Sequence, residues 1–158
     1  MMDFTRQPLS YKEAFAKATD LCGRSEKCSY DLEQKCREWQ LSGEETAKLI
    51  AYLTQEKFID HQRYAISFVN DKFRFNKWGK IKLSYVLRQK QIEEKYLKEA
   101  LDQLPEDAYR KVLLDLLSAK AKTLKSPDTF TRHGKLLNFA QSRGFETDLA
   151  LTIIERIK

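Results

Sequence analysis

The chain has 158 residues, 42% of them hydrophobic and 11% aromatic, which is enough apolar material for a packed core and excludes wholesale disorder. Its 29 Lys and Arg against 23 Asp and Glu leave a formal charge of +6, a sign suited to polyanionic partners without being diagnostic of one. No apolar run approaches the roughly 20 residues that span a bilayer, and Met1-Met2-Asp3-Phe4-Thr5-Arg6 has no apolar signal core. A cytoplasmic protein with no membrane partner is therefore expected.

Only five Gly and three Pro interrupt a background rich in good helix formers, so the expected fold class is all-α. Residues 1–10 read as a flexible N-terminus. A first helix opens at Ser10, which forms a capping box with Glu13, and carries Ala14, Phe15, Ala18 and Leu21 at helical spacing. Leu32 and Cys36 mark a second helix; a break at Ser42-Gly43 leads to a third with Leu49, Ile50 and Leu53. Asp60 is the expected N-cap of a fourth, carrying Tyr64, Ala65, Phe68, Val69 and Phe73. Lys77-Trp78-Gly79 ends it, and helices with Leu83 and Leu87, then Ala100, Leu101 and Leu104, follow. Pro105 is placed in the first turn of a seventh helix with Val112, Leu113, Leu116 and Leu117. Breaks at Ser126-Pro127-Asp128 and Arg143-Gly144 set off two more, with Leu136 and Ala140, then Ile153, Ile154 and Ile157.

These segments repeat. Around Leu41, Ile92 and Phe145 the same apolar frame occurs: a leucine nine residues before (Leu32, Leu83, Leu136), a small or apolar residue five before (Cys36, Leu87, Ala140), and apolar pairs eight and nine after. Three tandem three-helix repeats are expected, at 11–58, 59–104 and 105–158. Stacked side by side, such units form an elongated, curved helical array with a long concave face.

Residues 72 to 90 carry Lys72, Arg74, Lys77, Lys80, Lys82, Arg88 and Lys90 with no acidic residue, interleaved with Phe73, Phe75, Trp78 and Tyr85. Such a run can neutralise phosphates and stack on bases. The bland alternative is a solvated helix face, and helical spacing assigns Phe73 and Tyr85 to the core. Trp78 and Gly79 are read as shaping the turn. A second basic group, Lys120, Lys122, Lys125, Arg132 and Lys135, surrounds Ser126-Pro127; it either extends the anionic track or keeps the loop soluble.

No catalytic residue, metal site or cofactor is expected. His61 and His133 are the only imidazoles and sit in no nucleophile motif. Cys22, Cys28 and Cys36 form an odd set without zinc-site spacing and read as free thiols, Cys22 and Cys36 as small core residues. Glu44-Glu45 and Glu93-Glu94 fall at helix starts, where their charge favours the dipole.

The segments Ile59-Asp60-His61-Gln62-Arg63-Tyr64-Ala65, Lys77-Trp78-Gly79-Lys80-Ile81 and Leu87-Arg88-Gln89-Lys90-Gln91-Ile92 resemble the central signature of the RecX family, modulators of the RecA recombinase. Leu136 to Phe145 is similar to that family's third-repeat helix and its Arg-Gly-Phe turn. The resemblance covers residues 11 to 158. It makes Asp60, Tyr64, Trp78, Gly79 and Gly144 structural signature residues. His61 stands where the family usually has a second Asp, Gln91 replaces its turn Gly, and Cys28 sits where Ser is common, leaving Ser25 or Ser29 to cap the second helix. The resemblance implies a monomeric regulator that binds the RecA filament on single- and double-stranded DNA. It would restrain filament extension, ATP hydrolysis and strand exchange, in DNA repair and the SOS response. Two rival readings are a nucleic-acid-binding module that needs no recombinase and a helical adaptor for another protein.

Overall fold

The computed structural model describes residues 7–157, and among them there are helices and no strand. The helices are α1 (Tyr11–Arg24), α2 (Ser29–Glu38), α3 (Gly43–Gln55), α4 (His61–Asp71), α5 (Lys80–Gln89), α6 (Glu94–Asp102), α7 (Glu106–Thr123), α8 (Thr129–Ser142) and α9 (Thr147–Ile154). A π-helical turn, Lys72–Asn76, extends α4. Residues 1–6 of the expected flexible segment lie outside the described residues. Leu9, in the same segment, donates its N–H to Trp39 O at 3.0 Å and packs on the first core.

Local chemistry sets the helix starts. Ser10 and Ser42 each form a complete capping box, with Glu13 and Glu45, and Asp60 accepts the Arg63 N–H at 3.0 Å. Ser42→Ala is expected to cost about 1 kcal/mol, read as a lower urea midpoint. Pro105 takes the N-cap position of α7, one residue outside the first turn where it was expected. Neither Ser25 nor Ser29 caps α2: Cys28 is the N-cap with no side-chain bond, and Ser29 is the first helical residue.

The repeat is visible as one turn used three times. Gln40, Gln91 and Gly144 have φ of 60°, 60° and 88°. The next residues, Leu41, Ile92 and Phe145, donate N–H to Cys36 O, Leu87 O and Ala140 O at 3.1, 3.1 and 3.0 Å. This left-handed closure reverses the chain between the second and third helix of each unit. Gln91 thus adopts the conformation that a glycine would take more readily.

The three units do not have three equal cores. Ala14, Ala18, Leu32, Cys36, Leu49 and Leu53 of α1–α3 form one cluster, joined by Ile59 from the α3–α4 connection. A second, continuous cluster runs from Tyr64 through Leu87, Leu113 and Leu136 to Ile154, so α4–α6 and α7–α9 share one interior; from the first unit only Cys28 joins it, with Tyr30 packed alongside. The chain exposes 10454 Å², where a globular monomer of 18.6 kDa exposes about 8200 Å², as an elongated array should. No helix among the described residues is long and apolar enough to cross a membrane.

Candidate nucleic-acid interface

The basic face is built on the π turn and the start of α5. Widening the backbone at Lys72–Asn76 turns Phe73 inward, stacked 5.8 Å from Tyr109, and leaves Arg74, Phe75 and Lys77 in solvent. Lys77 closes the turn in the left-handed conformation, with φ 56°. Trp78 packs its edge on Phe68 at 6.2 Å, and its indole holds two cations, Lys72 Nζ at 5.2 Å and Lys82 Nζ at 4.6 Å from the centroid. The tryptophan therefore gathers one lysine from each side of the break.

Gly79 and Gly144 lock this edge to the third unit. The Gly79 and Ile81 N–H groups at the start of α5 donate to Arg143 O and Gly144 O at the end of α8, at 2.8 and 2.9 Å. A positive helix end thereby meets a negative one. A Cβ on Gly79 would overlap the Gly144 carbonyl, and one on Gly144 would overlap Lys82 Cβ. Arg143 itself crosses the joint: Nη1 donates to Asn76 O at 3.3 Å, and the guanidinium lies 5.4 Å from the Phe139 centroid, as does Lys120 Nζ. Lys72, Lys82, Arg143 and Lys120 are thus linked through Trp78, the π turn and Phe139. Arg143 was read from the sequence only as part of a turn; its distance of 67 residues from Asn76 hid its role as a bridge.

The remaining candidate cations go elsewhere. Arg88 pairs with Glu94 at 2.6 Å, and Lys90 pairs with Asp31 of the first unit at 2.8 Å. Lys80 lies 4.9 Å over Tyr109, beside Asp102, Glu106 and Glu146. In the second group, Lys122 and Arg132 line a cleft with Arg156, and Arg132 also donates to Leu124 O at 3.1 Å. Lys120 and Lys122 are two residues apart, about 200° around the helix, so α7 directs them to different sides. Lys125 and Lys135 are exposed. The charge is also uneven along the array: residues 11–58 carry eight Lys and Arg against nine Asp and Glu, 59–104 ten against six, and 105–158 ten against seven.

Among the signature residues, Asp60 caps α4, Tyr64 is buried with its hydroxyl 3.3 Å from Asp31, and Trp78, Gly79 and Gly144 shape the joint just described. Tyr85 is not in the core: it is 61% exposed, beside Phe75 at 71% and Ile81 at 55%. Leu83 and Leu87 define the buried face of α5, and a residue two positions from each points away from it. Phe73 is buried as expected.

All three cysteines are free; Cys36 is buried and Cys22 half-buried. Burial pushes all three thiols up, Cys28 to about 11, opposite to the shift that activates a nucleophile.

Taken together, tandem three-helix units with a cationic face across a fixed joint define a helical-repeat protein. A family model described as the second three-helix domain of RecX matches residues 60–101. A regulatory protein RecX of Chlorobium phaeobacteroides (strain BS1) is 31% identical over 146 residues, covering 92% of this chain and 94% of the relative. Against the regulatory protein RecX of Clostridium beijerinckii the identity is 29% over 112 residues, 70% of this chain, and the match spans about half (52%) of that longer relative. The crystal structure of RecX from Lactobacillus salivarius superposes with a TM-score of 0.79 at 18% identity, over 93% of this chain and 96% of that one. The chain belongs to the RecX family of regulatory proteins.

Proposed function

We propose that this protein binds the RecA recombinase filament on DNA and restrains it, lowering ATP hydrolysis and strand exchange during DNA repair and the SOS response. It acts in the cytoplasm as a monomer, by binding rather than catalysis and without a cofactor, on filaments over single- or double-stranded DNA. Residues 11–58, 59–104 and 105–158 are its three units. The observation that carries the reading is the run of cations from Lys72 and Lys82 through Arg143 to Lys120, set across the joint of the second and third units in a member of the RecX family. A face that crosses a joint can follow a polyanion longer than one unit.

The test is the ATPase of recombinase assembled on single-stranded DNA, titrated with this protein. Inhibition at submicromolar to micromolar protein is expected; full activity at micromolar protein in moderate salt overturns the reading. The exposure of Phe75 and Tyr85 favours a second reading, in which the same face binds bare nucleic acid by stacking. Equal affinity for bare DNA and for the filament, with no effect on the ATPase, would select it.

A further inference from the structure

The second basic group is divided by α7. Lys120 turns toward Phe139 and the cationic face already described. Lys122, about 200° further round the helix, turns into an open cleft of about 460 Å³ in the third unit. Two arginines from other elements meet it there: Arg132 from the start of α8, and Arg156 from the turn after α9. The rest of the lining is largely aliphatic, with Leu114 and Ala121 of α7 and Ile157 beyond α9. Leu114 is 42% exposed, an uncovered leucine beside three cations.

These cations have no counter-charge. The printed ion pairs of α7 join Arg110 to Glu106 and Lys111 to Asp115, and Asp128 is engaged by the Phe130 and Thr131 N–H groups. Among the described residues no carboxylate pairs with Lys122, Arg132 or Arg156, and none lines the cleft. Arg132 is the most constrained of the three. It is half-buried, and Nη1 donates to Leu124 O at 3.1 Å, which ties its guanidinium to the end of α7. A partly desolvated guanidinium with one neutral acceptor is left with donors and charge to spare.

We propose that this cleft is a second, separate binding site that takes an acidic segment of a partner protein. An apolar side chain of that segment covers Leu114, Ala121 and Ile157, and its carboxylates meet Lys122, Arg132 and Arg156. The site goes beyond the proposed function, because neither DNA nor a filament is needed to fill it.

The lining separates a peptide from a nucleic-acid strand. Three cations alone would suit phosphates as well as carboxylates. A strand's bases, however, stack on aromatic planes, and no aromatic side chain lines the cleft. Its sugars and phosphates would leave the aliphatic floor wet. A chain that alternates carboxylates with an aliphatic or aromatic side chain satisfies floor and rim together. The cationic face is built the opposite way, with Phe75, Trp78 and Tyr85 among its lysines and arginines. The two sites also lie on different sides of α7, so both can be occupied at once.

The test uses the full chain and a fluorescein-labelled peptide, Gly-Asp-Glu-Leu-Glu-Phe-Asp-Glu-Gly, with a control peptide in which Ser replaces Leu and Phe. Anisotropy reads affinity, and NMR reads place. The first peptide is expected to bind at high micromolar concentration and to shift the amides of Leu114, Ala121 and Ile157 but not the Trp78 indole. The control should bind several-fold more weakly. Lys122→Gln with Arg156→Gln, two exposed positions whose change leaves the fold intact, is expected to weaken the first peptide roughly fivefold or more. Changing Lys72, Lys82 and Arg143 to Gln should leave peptide affinity unchanged, and oligothymidylate should not displace the peptide. No binding at about 1 mM peptide, equal binding of the control, or shifts centred on Trp78 overturns the proposal. Displacement by oligothymidylate would make the cleft a nucleic-acid site instead. Sedimentation showing a dimer that the peptide dissociates would assign it to a second copy of this chain. No recombinase is present, so a failure here is distinct from a failure to inhibit filaments.

Discussion

Gly144→Ala is expected to destabilise the protein by about 3 kcal/mol, with a fall in melting temperature of about 6–12 °C for a chain of this size. Two effects act together: alanine is strained at φ 88°, and its Cβ would overlap Lys82 Cβ, part of a helix that cannot retreat without breaking the Ile81 N–H bond to Gly144 O. Gly79→Ala is expected to be comparably severe, because its Cβ meets the Gly144 carbonyl, which is backbone and cannot rotate aside. The control is Gly134→Ala in α8, where nothing lies within 4 Å and helix propensity should stabilise by about 1 kcal/mol. Thermal and urea unfolding of the three variants checks this ordering. Equal, small effects at all three glycines would mean that the second and third units are not locked by backbone contact.

The second large effect concerns salt. If Lys72, Arg74, Lys77, Lys82 and Arg143 each neutralise a phosphate of duplex DNA, log affinity falls against log salt with a slope of about −4.5. Raising salt from about 50 to 200 mM should then weaken binding by roughly 500-fold. Changing Lys72, Lys82 and Arg143 together to Gln leaves two contacts, a slope near −1.8 and a loss of only about 12-fold over the same range. Arg88→Gln and Lys90→Gln are expected to leave the slope unchanged, because Glu94 and Asp31 already engage those cations. Fluorescence anisotropy with labelled DNA at several salt concentrations reads all of these. A slope that falls for Arg88→Gln and Lys90→Gln but not for the triple variant would place the interface on another side of the protein.

The RecX family assignment rests on the match to relatives along nearly the whole chain, within which the units differ. The middle and third units are basic and joined through one core, whereas the first has its own core and a slight acidic excess. In the proposed function the fused pair supplies the polyanion-binding body.

What the sequence alone determined was the periodic part: helix type, the thrice-used turn, the capping box at Ser10, and the buried face running through Leu83, Leu87, Leu136 and Ala140. These follow from spacing within about a dozen residues, where helix geometry is fixed by the backbone itself. Tyr85 does not follow the core face that helical spacing assigned it: it lies two residues from both Leu83 and Leu87, about 200° around α5, and faces solvent. Only the tertiary structure decided which cations share a face. Lys90 and Asp31 are 59 residues apart, and Arg143 and Asn76 are 67 apart. A charge's availability depends on what folding places beside it, and contacts made across a joint leave no local trace in the chain.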